Sequence, residues 1–311
     1  MGQGSPFISI IMPTHRRSQL IDRALSSVLG QSFQDFELIV VDDNGSGSEE
    51  QLATQKVVES KCDDRIHYMV NEFSLGGSEA RNVGIRSARG EWIGFLDDDE
   101  DWLPVKLERQ VSLIRAVSHE VGAIDTGFID WKKDGSVKEV QPKLQGWIFE
   151  RLLRKTGGRA PKLSTLLCRA DVLEKVGLFD PELPAREDYD LYLRIARHYR
   201  FESVFEPLAN KRCDASERLT GDISNFVKGY EGVYRKFGED LRARPKIHAI
   251  YLLKYAQVLA LAGFRSKARC LYVQSFRLWF WNPRLLTYAP KVFLAHSKEN
   301  KETSGSDNQN N

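Results

Sequence analysis

Two short apolar runs frame the start of the chain: Phe7-Ile-Ser-Ile-Ile-Met12, stopped by Pro13, and Phe36-Glu-Leu-Ile-Val-Val41, stopped by Asp42-Asp43-Asn44-Gly45. Runs of this length and composition predict strands buried on both faces. Between them Leu20, Ile21, Ala24, Leu25, Val28 and Leu29 recur at helical spacing, with Gly30 as a stop, so the opening unit reads β-α-β. A helical stretch over 49–60 leads to a strand-like 66–70, a third helix is expected over 78–88, and Trp92-Ile-Gly-Phe-Leu96 follows as another apolar strand. Strands that alternate with helices predict an α/β fold with a parallel, doubly wound sheet. In such sheets ligands bind beyond the carboxyl ends of the strands. Three polar clusters fall there: Pro13-Thr14-His15-Arg16, Asp42-Asp43, and Asp97-Asp98-Asp99-Glu100-Asp101.

From 121 to about 210 the pattern turns mixed, with a strand over 122–129, a Lys132-Lys133-Asp134-Gly135 hairpin turn and helices near 147–155 and 189–199. This half is the natural place for an acceptor. Three more helices are expected near 223–237, 246–262 and 267–280, and the last residues, 297–311, are polar without an apolar face and read as disordered. The expected division is a domain over 1–212 (a nucleotide-binding half, 6–120, and an acceptor half, 121–212), a helical extension over 213–296, and a tail.

Composition adds exclusions. Of 311 residues, 41% are hydrophobic and 28% charged, which fits a soluble globular chain rather than a disordered or fibrous one. Lys and Arg number 45 against 43 Asp and Glu, so no basic field marks a nucleic-acid binder and no nucleic-acid partner is expected. Cys62, Cys168, Cys213 and Cys270 form no C-x-x-C pair, which argues against a zinc cage and for a reducing compartment. The apolar run at 7–12 is too short for a signal peptide, so a cytoplasmic location is expected.

Asp97, Asp98 and Asp99 stand in a row, and carboxylates so placed repel one another unless a cation or hydrogen-bond donors offset them. Hard divalent cations prefer oxygen ligands, and Mg²⁺ or Mn²⁺ held by one or two carboxylates plus substrate phosphates is the sharp reading. The bland one is a solvated acidic loop in which Asp99 or Asp101 caps the helix near 106–115.

Four elements in order resemble family 2 of the glycosyltransferases, which have the GT-A fold. They are Ile10-Ile-Met-Pro-Thr14; Glu37-Leu-Ile-Val-Val-Asp42-Asp43-Asn-Gly-Ser46; Ala80-Arg81-Asn82-Val-Gly84; and Gly90-Glu-Trp-Ile-Gly-Phe-Leu-Asp97-Asp98-Asp99 with Trp102-Leu103-Pro104. The likeness covers about residues 6–212. It implies a nucleotide-diphosphate sugar donor, usually UDP-linked, a glycan or lipid-linked acceptor, and transfer with inversion, typically in bacterial cell-surface polysaccharide synthesis. It implies that Pro13 and Thr14 line the nucleoside pocket, and that Asp43, aided by Asp42, accepts from base or ribose. Arg81 would brace the base or the acidic pair, Asp98 would sit near the ribose, and Asp99 would bind the metal with Asp97 in support. Glu187-Asp188 resembles the family's E-D element, whose Asp is the catalytic base.

One base suffices, because a nucleoside diphosphate leaves on a metal's charge and needs no proton donor. Asp188 falls in the first turn of a predicted helix, whose dipole would favour its ionised form, Glu187 would help to position it, and Arg194 is placed to pair with either acid. His15, Gly76-Gly77 and the basic run Arg151, Arg154, Lys155, Arg159 beside Gly157-Gly158 read as solvated or flexible features. A nucleotidyltransferase would need a glycine-rich loop after the first strand, which Pro13-Thr14-His15-Arg16 lacks; a catalytically dead scaffold would have no need of Asp98, Asp99 and Asp188.

Residues 251–283 resemble a single degenerate tetratricopeptide-type helix pair, with a break at Leu261-Ala-Gly263 and a closing Asn282-Pro283. The group Phe276, Leu278, Trp279, Phe280, Trp281 is expected in the core, as helical aromatic stripes usually are. With Arg265, Lys267, Arg269, Arg277 and Arg284 nearby, the alternative is peripheral contact with the inner face of the plasma membrane.

Overall fold

The computed structural model describes residues 4–155, 160–212 and 222–294. Gly157-Gly158, Arg159, Cys213, the expected boundaries at 212/213 and 296/297, and the polar tail lie outside them. The chain divides into two compact units, Met1–Arg218 and Leu219–Asn311.

The first unit is a mixed sheet flanked by helices. Its elements run β1 (Ile8–Thr14), α1 (Ile21–Leu29), β2 (Phe36–Asp42), α2 (Glu49–Glu59), β3 (Ile66–Val70), α3 (Gly77–Ser87), β4 (Trp92–Phe95), β5 (Glu100–Trp102), α4 (Lys106–Ile114), β6 (Val121–Trp131), β7 (Val137–Val140), α5 (Phe149–Lys155), β8 (Leu167–Arg169), α6 (Ala170–Val176), α7 (Glu187–His198) and β9 (Arg200–Arg212). The strand order is β3-β2-β1-β4-β8-β6-β9-β5, with β7 on β6. The half β3-β2-β1-β4 is parallel, and its register sets Thr14 beside Asp42 and Ile11 beside Phe95. Every residue of β2 is buried and β1 nearly so, as strands covered on both faces require. The doubly wound start expected from the apolar runs is therefore present, and antiparallel β8 joins it to the second half.

Two readings change. Residues 100–102 are a strand, β5, paired antiparallel with the 13-residue β9, which the sequence pattern did not single out. Neither Asp99 nor Asp101 caps α4: Val105 stands at its N-cap without a side-chain bond, while Asp101 accepts from Asn210 Nδ2 at 2.5 Å and Arg212 Nε at 2.8 Å.

Helix α3 carries Arg81 and lies very close to the sheet. A Cβ at Gly84 would meet Ile11 Cγ2 at 2.6 Å and Val41 Cγ2 at 3.2 Å, so only glycine allows this approach. Two residues earlier, buried Asn82 forms a two-way bond with one backbone unit: its Nδ2 donates to Phe179 O and Phe179 N donates to its Oδ1, both at 2.9 Å. The segment leading into α7 is thereby pinned to α3.

The second unit consists of α8 (Ile223–Arg242), α9 (Pro245–Leu261), α10 (Arg265–Leu278) and α11 (Arg284–Phe293). Helices α9 and α10 form a hairpin turned at Gly263, whose φ is +86°. Tyr230 of α8 stacks on Tyr255 of α9 at 5.6 Å. The expected burial of the aromatic group does not hold: Phe276, Leu278, Phe280 and Trp281 are exposed, because α10 packs through Ala268 and Ser275 instead.

Asn82→Ala leaves the N–H and C=O of Phe179 buried and unpaired, a loss of about 1–3 kcal/mol. Urea unfolding is expected to show it, and amide exchange at Phe179 should accelerate by more than at residues of β2.

Candidate active site

The carboxyl ends of β1, β2 and β4 and the start of α7 bring the acids together. Asp97 is joined to Arg81 Nη2 at 2.7 Å, and Nη1 of the same guanidinium lies 3.9 Å from Glu187 Oε1. Arg81 thus ties the acidic run after β4 to the first turn of α7, although the two lie 90 positions apart in sequence. It also sits over the Phe179 ring, 5.7 Å from its centre.

Arg17 donates through Nη1 to Asp98 Oδ1 at 3.1 Å and Asp99 Oδ2 at 3.0 Å. Thr14 Oγ1 donates to Asp98 Oδ2 at 2.8 Å. Lys162 Nζ meets Glu100 Oε1 at 2.6 Å and lies within electrostatic reach of Asp97, Asp99 and Asp188. Arg17, Glu100 and Lys162 were not selected from the sequence. A charge beside a charge 60 to 80 positions away leaves no spacing signal.

Burial dominates the protonation of these groups. It pushes Asp98 up to about 6 against the pull of Arg17 and Thr14, and pushes Glu100 up to about 7 against Lys162. Asp99 is raised by burial and by Asp97. Burial acts on Asp97 too, but Arg81, Lys162 and Arg17 outweigh it and hold this carboxyl below its ordinary value. Glu187 and Asp188 are both raised, by burial first; Glu187 is raised further by its neighbour, while the Tyr189 N–H, 2.6 Å from Asp188 Oδ1, pulls Asp188 the other way. The expected gain from the helix dipole is therefore smaller than the cost of desolvation.

Six carboxylates (Asp97, Asp98, Asp99, Glu100, Glu187, Asp188) face four cations (Arg17, Arg81, Lys162, Arg186), a formal excess of two negative charges. Among the described residues, Asp97, Asp99 and Glu100 offer oxygens that all lie within 4.8 Å of one another. An all-oxygen set of this size suits a hard divalent cation.

The residues expected at the base and ribose divide. Thr14 is buried against Asp98, and Pro13 precedes it on the rim. Asp42 is wholly buried and accepts from Tyr68 Oη at 2.5 Å and Asn44 N at 2.9 Å, so it braces the end of β2. Both oxygens of Asp43 are in use: Asn71 Nδ2 and Leu75 N donate to Oδ1 at 2.7 and 2.8 Å, and Ser74 Oγ and Gly76 N donate to Oδ2, each at 2.9 Å. To accept from a base, Asp43 would have to release one of these donors. Arg194 pairs with neither acid of the E-D element. It binds Asp190 at 2.9 Å and the carbonyls of Val176 and Leu178 at 2.8 and 2.7 Å.

Comparison with known proteins identifies relatives of the chain and of its fold. The chain is 35% identical over 262 residues, 81% of its length and 88% of the relative's, to WcaA of Escherichia coli (strain K12), named as a colanic acid biosynthesis glycosyl transferase. It is 39% identical over 63% of its length and 72% of the relative's to WfgD of Escherichia coli, a UDP-Glc:α-D-GlcNAc-diphosphoundecaprenol β-1,3-glucosyltransferase. Among solved structures, the mannosyltransferase PcManGT of Pyrobaculum calidifontis, in complex with GDP-Man and Mn²⁺, superposes with a TM-score of 0.57 at 18% identity, covering 94% of this chain and 87% of that one, which shows a shared GT-A fold. The family model described as Glycosyl transferase family 2 matches residues 9–171, and the chain belongs to that family of glycosyltransferases.

Proposed function

We propose that the protein transfers a sugar, with inversion, from a UDP-sugar to a hydroxyl of a glycan or lipid-linked acceptor in cell-surface polysaccharide synthesis. The observation that carries this reading is the Asp97–Arg81–Glu187 bridge, which sets the E-D pair beside the acids after β4. A glycosyl donor whose diphosphate is held by a cation among those acids would present its sugar toward α7. Support for the UDP donor and the lipid-linked acceptor comes from WfgD, whose name gives a UDP-glucose donor and a diphosphoundecaprenol-linked acceptor.

Asp97, Asp99 and Glu100 would hold Mn²⁺ or Mg²⁺, and PcManGT was solved with Mn²⁺. When bound, such an ion supplies positive charge that offsets the departing diphosphate. Arg17 steadies Asp98 and Asp99, and Asp98, fixed by Thr14, would meet the ribose. Pro13 and Thr14 line the nucleoside side, with Asp42 and Asp43 shaping it.

Asp188 is the base. Its Oδ1 is held by the Tyr189 N–H, which leaves Oδ2 to take the proton of the acceptor hydroxyl as the oxygen attacks the anomeric carbon from the face opposite the diphosphate. Glu187, anchored through Arg81, orients the pair.

Asp188→Asn is expected to lower kcat by about 10²–10⁴-fold while calorimetric binding of UDP with Mn²⁺ is retained; loss of both together would move residue 188 into the nucleotide site. Because the base must be ionised and burial raises its pKa, the acid limb of kcat/KM should lie at a higher pH than a solvent-exposed aspartate gives. Asp99→Ala should remove the metal-dependent part of UDP affinity, and an unchanged titration would overturn the assignment of the cation to this cluster.

A further inference from the structure

Helix α11 is apolar on two sides. Leu285 and Val292 turn into the bundle, while Leu286, Phe293 and Leu294 follow at helical spacing on another side and are open, Leu286 at 83% and Leu294 at 71% exposure. Helix α10 repeats the pattern, with Arg269, Val273 and Phe276 along one exposed face. The two faces adjoin, since the Arg269 guanidinium lies 5.7 Å from the centre of the Phe293 ring. Just beyond α10, Phe280 and Trp281 pack ring to ring at 4.9 Å, yet Trp281 remains 79% exposed. Water-soluble surfaces seldom leave so many large apolar side chains together uncovered.

Charge says what covers them. Residues 241–294 contain ten Lys or Arg and no Asp or Glu, whereas the rest of the chain has 35 basic against 43 acidic residues. The near-neutral total thus hides a strongly cationic segment, and its cations stand beside aromatic rings: Lys267 lies 5.8 Å from the centre of the exposed Phe264 ring and Lys291 lies 5.1 Å from that of the half-buried Tyr288. Residues 295–311 have no apolar side chain larger than Ala295 and carry acids and amides, so they are not chemically suited to cover this surface. A second copy would set the six cations of α10 and α11 against six more. Nucleic acid would answer the charge but not the bare Leu286 and Leu294. Apolar side chains interleaved with cations match a bilayer interface, acyl chains below and anionic headgroups above. Among the described residues no helix is long and apolar enough to cross a membrane, so the contact is one of lying on the surface.

We propose that α10, α11 and the Phe280-Trp281 turn between them form a docking surface for an anionic lipid bilayer. It deepens the reading of a lipid-linked acceptor without depending on it, because vesicle binding needs neither donor nor acceptor.

The test is sedimentation of the full chain with vesicles of phosphatidylcholine alone and of phosphatidylcholine with 30 mol% phosphatidylglycerol. Binding is expected only to the anionic vesicles, falling with salt, and accompanied by a blue shift of tryptophan emission that Trp281→Phe removes. Replacing Arg265, Lys267 and Arg269 together by Gln should weaken binding about a hundredfold, at roughly fivefold per charge, and Trp281→Ser with Leu286→Ser should weaken it at unchanged charge and unchanged circular dichroism. Three results would overturn the proposal: no binding to anionic vesicles, binding indifferent to the two serine changes with equal affinity for polyuridylate, or a dimer in sedimentation equilibrium that those serine changes dissolve.

Discussion

Like-charge repulsion is the constraint around which the catalytic unit is arranged. Six carboxylates converge where three parallel strands end, and a buried rim of acids persists only where cations and donors are fixed in advance. Arg17 reaches in from the loop after β1, Arg81 from α3, and Lys162 from the approach to β8. Each is aimed by its own element, so the sheet and its helices serve as a frame for positive charge as much as for the acids. The remaining formal imbalance of two negative charges is one that a divalent cation would neutralise.

The frame depends on close approach. Gly84 lets α3 settle onto Ile11 and Val41, and Asn82 then holds the backbone of Phe179, which leads into α7. One helix thereby sets the spacing between the acids after β4 and the Glu187-Asp188 pair. The side chains that do this are small or uncharged.

What was legible in the sequence follows from how each signal is encoded. β1, β2 and β4 are short apolar runs between breakers and could be read directly, as could the acids at their ends and the E-D pair at a helix start. β5 could not be read, since Glu100-Asp101-Trp102 has no apolar pattern and becomes a strand only by pairing with β9. β9 itself mixes charged and apolar residues because parts of it lie near solvent. Arg17 and Lys162 look like any surface cation until folding brings their partners near. The aromatic group at 276–281 was misjudged for a related reason: helical spacing shows that residues share a face, while which face is covered is decided by Ala268 and Ser275, whose small size makes the packing side.

Asp43 carries a consequence for turnover. Its carboxylate is shared among Asn71, Ser74 and the amides of Leu75 and Gly76, so the chain supplies its own competitor for the very oxygens a base would claim. If a nucleotide engages Asp43 as proposed, it must displace part of that loop, and the loop then competes for its old partners. Weak retention of the spent nucleotide would then be built into the same residue that greets the fresh one.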